Sequence, residues 1–165
     1  MEKKVVLSSL VARCLLKEFA RHENREFETV TGFYLEADEE LTICLPCLSG
    51  MKKICLPPLP RMLFLFFLLH PEGIFISRLD RYKEELTSLY TWINRNGKRK
   101  YDVCKVVDNL VDISTKRFYE TISQIRSVLI KMIGKEDAGN FCIVKSADGK
   151  HRIKAAVRNL RGIPA

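Results

Sequence analysis

Three cysteines lie close together in residues 43–57, which read ICLPCLSGMKKICLP. Cys44 and Cys47 form a CxxC pair, and Cys55 follows shortly after it. A structural zinc site takes four ligands and usually draws them as two close pairs, but the chain has no second pair near the first. His22 or His70 would have to supply the fourth ligand. A metal-binding regulator is therefore the less favoured interpretation of these residues.

A redox site is also disfavoured by the position of the CxxC. Such a site needs its first sulfur at a helix N-terminus, where the helix dipole lowers the thiol pKa. Ile43 and Leu45 instead alternate with Cys44, as in a strand with one apolar face, and the second ICLP repeats this alternation. The sequence therefore predicts two short strands here, with no metal and no cofactor.

Motifs of known catalytic mechanism are absent from the sequence. It contains no P-loop, no nucleophile elbow, no HExxH and no GxGxxG. His22 lies near the end of a predicted helix and His70 in a proline turn, and neither has an evident carboxylate or nucleophile partner. We expect both to be surface or capping residues, and we predict that the protein is not an enzyme.

Positive charge is concentrated in the last third of the chain. The net charge is +8, with 17 Lys and Arg against 16 Asp and Glu in residues 1–113, and 11 against 4 in residues 114–165. A basic segment beside a neutral one favours a polyanionic partner. The first residues begin like a signal peptide, but Arg13 interrupts the apolar run and Lys17 follows. We therefore expect a cytoplasmic protein with reduced thiols.

Periodicity predicts the elements that must position this charge. Residues 3–22 form an amphipathic helix, and residues 26–36, 41–45 and 53–56 form three strands, the last two joined by a loop containing Ser49 and Gly50. Residues 62–69 are apolar on every side, which predicts a central helix ending at His70. Ser77 caps a helix over residues 78–95, and another helix covers residues 102–111.

The basic third begins with a helix predicted to start at Ser114 and end at Gly134. Its apolar residues recur at helical spacing and predict a core-facing stripe of Phe118, Ile122, Ile125, Leu129, Met132 and Ile133. The opposite face carries Lys116, Arg117, Glu120, Ser123, Gln124, Ser127 and Lys131. An Asp148-Gly149 hairpin follows within residues 141–156, and its strands carry Lys145, Lys150, His151, Arg152 and Lys154.

This order of elements resembles the winged-helix effector domain of the OmpR/PhoB response-regulator family. The matching stretches are HPEG at residues 70–73, Ile122 to Leu129 for the family's I-x-x-L-R-x-K-L, and residues 148–153 for the end of its wing. The resemblance covers about residues 27–157. Val128 stands where the family usually has Lys, and residues 94–113 form a longer link than is usual. The whole chain is also similar to a group of bacterial proteins that share the HPEGI and Y-x-E-E-L stretches.

The resemblance implies an α+β, mainly helical fold: an N-terminal helix over residues 1–26, and a winged-helix domain over residues 27–165 with a small antiparallel sheet and a hairpin wing. It implies double-stranded DNA as the partner and transcription regulation as the role, with residues 114–133 in the major groove. The face of that helix would contact bases and flanking phosphates, and Arg126 and Lys131 would contact phosphates. The wing residues Lys150, His151 and Arg152 would lie against the backbone or minor groove.

Two alternatives stay open on the sequence alone. The same scaffold could be a protein-interaction adaptor or homodimer, using the N-terminal helix or the aromatic residues Tyr82, Tyr90 and Trp92 as its docking face. The polar face after Ser114 is also what an ordinary solvated helix would show.

Overall fold

The computed structural model describes residues 34–36, 42–47, 50–94 and 100–154. The chain divides into two compact units, of which one comprises residues 1–53 and 155–165 and the other residues 54–154. The predicted helix over residues 3–22, the start of the first predicted strand and the predicted domain boundary at residue 26 lie outside the described residues.

The first unit contains a three-stranded sheet in the order β1-β2-β3. β1 is Tyr34–Glu36, β2 is Thr42–Cys47, and β3 is Gly50–Ile54, whose last residue belongs to the second unit. β1 runs antiparallel to β2, with Leu35 opposite Ile43. Ile43 and Leu45 are buried and Cys44 is partly exposed, which confirms the predicted alternation in β2.

The third strand was predicted over residues 53–56 and is displaced toward the N-terminus. Gly50 belongs to the strand and not to a loop, while Cys55 and Leu56 follow its end. Pro57 cannot donate a ladder hydrogen bond, so the strand could not continue beyond Leu56. The Leu56 carbonyl also accepts hydrogen bonds from Arg61 Nε and Nη2, at 3.2 and 3.0 Å, and so serves the following helix.

The core of the second unit is built around α1, Pro58–Leu69. Proline at the first helical position fixes φ where no intrahelical N–H is needed. Every residue from Met62 to Leu69 is buried, which confirms the central helix predicted from its apolar sequence. α1 packs against two later helices and a hairpin strand, described below. His70 is its C-cap residue, and Gly73 follows in the turn with φ +84°.

The segment after this turn begins as a 3-10 helix, Ile76–Tyr82, and continues as α2, Lys83–Ile93. The predicted cap at Ser77 is therefore wrong, because Phe75 holds the cap position without a side-chain hydrogen bond and Ser77 lies inside the 3-10 turn. Ile76 and Leu79 are buried at a spacing of three, which matches the three residues per turn of a 3-10 helix. α3, Lys100–Val111, packs against α2.

α4 spans Arg117–Ile133 and packs against α1 and α3. The predicted start at Ser114 is wrong, because a 3-10 turn, Ile113–Thr115, precedes the helix and Lys116 stands between them with φ +60°. The predicted core stripe is confirmed in the main, since Phe118, Ile125, Leu129 and Ile133 are buried and Ile122 and Met132 are partly so. Gly134 ends the helix, as predicted. A short helix that the sequence did not predict, α5, Lys135–Phe141, follows it.

The second unit ends in an antiparallel hairpin of β4, Ile143–Lys145, and β5, His151–Ile153. The predicted hairpin at Asp148-Gly149 is confirmed, with strands shorter than predicted. Ile74, between α1 and the 3-10 helix, pairs with His151 through two backbone hydrogen bonds of 2.9 and 2.8 Å. The segment after α1 is thus hydrogen-bonded to β5, the second strand of the hairpin.

The described residues form an α+β fold that is mainly helical and contains two small antiparallel sheets. Among the residues that the structure describes, no helix has the length and apolarity required to cross a bilayer.

Candidate nucleic-acid interface

The outward face of α4, together with the residue that precedes the helix, is mostly polar. The eight residues of this segment that were predicted to contact nucleic acid are all exposed, namely Lys116, Arg117, Glu120, Ser123, Gln124, Arg126, Ser127 and Lys131. The opposite face of α4 is buried in the core of the unit. The helix is therefore fixed by one face and free to contact a partner with the other.

A rigid turn sets where this face begins. Asp112 Oδ1 accepts hydrogen bonds from the Ser114 backbone N–H, at 3.0 Å, and from the Ser114 hydroxyl, at 2.7 Å. These two bonds lower the pKa of the Asp112 carboxyl, the hydroxyl bond contributing most. Thr115 Oγ1 then accepts the Arg117 N–H at 3.2 Å. Because these bonds close the turn after α3, α4 starts abruptly at Arg117 with Lys116 projecting before it.

The charges on this face are mostly not neutralised by neighbours. Arg117 Nη1 lies 3.4 Å from Glu120 Oε2, a pair that spans one helical turn. Within the part of the chain that the structure describes, Lys116, Arg126 and Lys131 form no ion pair. The face therefore offers cations at both ends and hydroxyl and amide groups, from Ser123, Gln124 and Ser127, between them.

The hairpin adds further cations beside α4. Lys145 and Lys154 are exposed, while Lys150 and Arg152 are partly buried. Arg152 forms an ion pair with Asp148, and the Lys150 ammonium lies 5.4 Å from the centre of the Phe75 ring. Asp148 also accepts the Lys150 backbone N–H, and this hydrogen bond is the main cause of its lowered pKa. Lys145 and Lys154 are thus the hairpin cations most available to a partner.

His151 does not have the exposed position predicted for it. Its side chain is only 8% exposed, because the alternation of β5 turns it to the same side as the buried Ile153. The imidazole packs edge-on against the Phe118 ring at 5.7 Å and lies 6.4 Å from the Tyr119 ring. Burial, with a smaller contribution from Lys145, lowers its pKa. His151 therefore packs the hairpin against the first turn of α4 and is not available to contact a ligand.

Tyr119 belongs to the exposed face although the sequence interpretation omitted it. Its side chain is 49% exposed, and it lines a shallow open depression with Lys116, Glu120, Ser123 and Gln124. Helical spacing places Tyr119 one turn before Ser123, so periodicity alone could have assigned it to this face.

A second polar cluster surrounds His70, for which the sequence suggested no carboxylate partner. That expectation is wrong: His70 Nδ1 lies 3.1 Å from Glu72 Oε1 and Nε2 lies 2.9 Å from Glu85 Oε1. The ring also packs against Phe66 and Tyr82, with centroids 4.6 and 5.1 Å away. Burial lowers the pKa of the imidazole, but the two carboxylates together raise it to about 9. His70, the C-cap residue of α1, is therefore protonated at neutral pH and links α1 to α2 through its contact with Glu85.

The described residues give little support to the two alternative sites, which are a metal site at the cysteines and an aromatic docking face. Cys55 is exposed and Cys44 partly exposed, and the side chain of Cys47 lies outside what the structure describes. Among the described side chains, no three His, Cys, Asp or Glu residues are grouped so that they could hold a metal ion. Tyr90 and Trp92 on α2 are buried, and Tyr82 at the end of the preceding 3-10 helix is partly buried, so these aromatics do not form an exposed docking face.

Comparison with known proteins identifies no relative: no family model, no curated protein and no solved structure matches the chain.

Proposed function

We propose that this protein binds double-stranded DNA through the exposed face of α4, with the β4–β5 hairpin contacting the adjacent backbone, in the manner of a winged-helix transcription regulator. The observation that carries the proposal is the exposed face of α4, which combines unneutralised cations with hydrogen-bonding side chains while its other face anchors it in the core. An α-helix presented in this way has the width of the major groove.

The topology of the second unit supports the same conclusion. Ile74 follows α1 and pairs with β5, so three short extended segments lie beside the helices in the order helix, strand, helices, strand, strand. The resemblance to winged-helix effector domains implies several helices followed by a C-terminal hairpin, and the helices and hairpin of this unit follow one another in that order. His151 then sets the hairpin against the first turn of α4, which would place both elements on one duplex.

The expected binding is largely electrostatic. Lys116, Arg126, Lys131, Lys145 and Lys154 are exposed and form no ion pair within the described residues. If each of these five neutralised one phosphate, the logarithm of the association constant would fall with the logarithm of salt concentration at a slope of about −4.5. Ser123, Gln124 and Ser127 would contribute contacts to base edges, which carry sequence information.

The test is fluorescence anisotropy of the full chain with labelled duplex DNA over a salt series. We expect the double variant Lys116→Glu with Lys145→Glu to lower the affinity and to reduce the slope by about one for each lysine. The matched control is Lys53→Glu with Arg81→Glu, which changes the net charge equally at exposed positions on other elements. Equal losses in the two double variants would show only a general charge effect and would contradict the proposal, as would an absence of binding at low salt.

The adaptor hypothesis now depends on the predicted helix over residues 3–22, since two of the three aromatics that it invoked, Tyr90 and Trp92, are buried. Deleting residues 1–22 tests it directly. An unchanged oligomeric state and unchanged capture of a protein partner after the deletion would remove its remaining support.

A further inference from the structure

Tyr119 is an unusual residue on the face of α4. Only two large apolar side chains are exposed among the described residues, Ile113 at 45% and Tyr119 at 49%. Scattered apolar residues are normal on a surface, but Tyr119 stands in the middle of a polar one, and its hydroxyl makes no hydrogen bond to any described residue. The ring is therefore exposed without a partner that would explain it.

The Tyr119 ring is held in place by two buried aromatic rings on its inner side. The Phe118 ring lies 5.4 Å away at an interplanar angle of 85°, and the buried His151 ring lies 6.4 Å away. Edge-to-face pairs of this kind are favourable geometries for aromatic rings. Because Phe118 and His151 are themselves buried, they limit the movement of Tyr119 toward the core, and its outer surface stays turned to solvent.

The neighbours of Tyr119 define what could contact it. The other residues lining the depression are all polar, namely Lys116, Glu120, Ser123 and Gln124. A docking protein would be expected to bury a wider apolar patch, whereas this surface offers one ring within a polar frame. A ligand that fits must carry a small apolar group surrounded by hydrogen-bonding groups. The major-groove edge of an A·T pair has this character, because the thymine C5-methyl group stands beside the thymine O4 and the adenine N6 and N7 atoms.

Building on the proposed DNA binding, we infer that Tyr119 packs against the C5-methyl group of a thymine in the major groove and gives the protein a preference for A·T pairs at that position. The charged residues of α4 position the helix on the phosphates, and Tyr119 reads the methyl group. This assigns a base-reading role to a residue that carries no charge and so does not contribute to the electrostatic part of the affinity.

The inference is tested with two pairs of duplex probes that differ only in this methyl group. The first pair is a short duplex of alternating A and T and the same duplex with deoxyuridine in place of every thymine. The second pair is a duplex of alternating G and C and the same duplex with 5-methylcytosine, which places a methyl group at the equivalent position. We expect the methylated member of each pair to bind more tightly, by about fourfold for each methyl group that is buried against the ring.

Two variants separate the ring from the rest of the surface. Tyr119→Ala should abolish the difference within each pair, while Tyr119→Phe should retain it, because the ring and not the hydroxyl makes the contact. Neither substitution changes the charge, so the salt dependence should stay as in the wild-type protein. Thermal unfolding of both variants checks that the half-exposed position tolerates the change.

The outcomes distinguish the inference from the function on which it rests. Salt-dependent binding with equal affinity for the two members of each pair would overturn the reading of the methyl group and leave DNA binding intact. A methyl preference that survives in Tyr119→Ala would show that another residue reads it, and tighter binding to single-stranded thymidine oligonucleotides than to any duplex would also overturn the inference. Failure of every probe to bind would overturn both proposals.

Discussion

Titration of His70 should control the stability of the second unit at alkaline pH. In the folded protein the pKa of this imidazole is raised from 6.5 to about 9, although its burial acts in the opposite direction, because Glu72 and Glu85 each accept a hydrogen bond from it. A histidine with a raised pKa stabilises the fold fully below its unfolded pKa. The stabilisation is lost as pH rises from 6.5 through 9.

The magnitude follows from the size of the pKa change. At about 1.4 kcal/mol for each pKa unit, the rise corresponds to roughly 3 kcal/mol. The His70 side chain is 12% exposed, but the carboxylates are 36% and 38% exposed, so water screens the interaction. We therefore expect a net loss of about 1–2 kcal/mol in the free energy of unfolding between pH 6.5 and 9.5.

The assay is urea unfolding at a series of pH values for the wild-type protein and for the variant His70→Gln, combined with a proton NMR titration of the histidines. The variant removes the titrating group, so its free energy of unfolding should change less over this range than that of the wild type. Subtracting one pH dependence from the other removes the contribution of cysteines and other groups that titrate nearby. Glu85→Gln should lower the His70 pKa while leaving the imidazole in place. Identical pH dependences for the wild type and His70→Gln, or a His70 pKa near 6.5, would refute the reasoning.

Two further predictions concern glycines. Gly73→Ala should destabilise the fold by about 1–3 kcal/mol more than Gly149→Ala. Both glycines have φ +84°, so the two variants share the same backbone strain. They differ in the space around an added Cβ, which would lie 3.0 Å from Arg152 Nε and from Lys150 Cβ at Gly73 but 3.5 Å from its nearest neighbour at Gly149. Equal unfolding midpoints in urea for the two variants would show that the turn after α1 is not tightly packed on the hairpin. Gly139→Ala, inside α5 and with nothing within 4 Å of the added Cβ, should stabilise the protein by about 0.5–1 kcal/mol in the same assay, since glycine is the poorer helix former. A loss of stability would contradict the assignment of this segment as a helix.

The elements that could be predicted from the sequence are those with a long, regular apolar period. α1 is apolar on all sides, and the stripe through Phe118 and Leu129 repeats over more than four turns of α4, so both helices were identified. α5 was missed because its seven residues include Gly139 and too few apolar positions to show a period. The 3-10 helix could not be recognised in this way, because Leu79 and Tyr82 also fit the apolar face of a continuous α-helix over residues 78–95.

Features set by tertiary contacts could not be predicted in the same way. The positive φ of Lys116 reflects the hydrogen bonds of the preceding turn, which involve Asp112 and Thr115 and are not visible as a pattern in the sequence. The partner Glu85 of His70 is distant in sequence and is brought near by the packing of α2 on α1. The burial of His151 could have been predicted from the sequence, because residues two apart in a strand share a face and Ile153 is apolar.

Histidines 70 and 151 show that burial alone does not decide whether an imidazole is charged. Both are largely buried, at 12% and 8% exposure, yet two carboxylates hold His70 as a cation, whereas burial and, to a smaller extent, Lys145 lower the pKa of His151 and favour its neutral form. At neutral pH the contact between the hairpin and α4 is therefore aromatic and uncharged, and the positive charge of His70 lies between the carboxylates of Glu72 and Glu85. The positive potential of the α4 face consequently comes from exposed lysines and arginines and from neither histidine, so salt concentration should govern how strongly this surface attracts a polyanion.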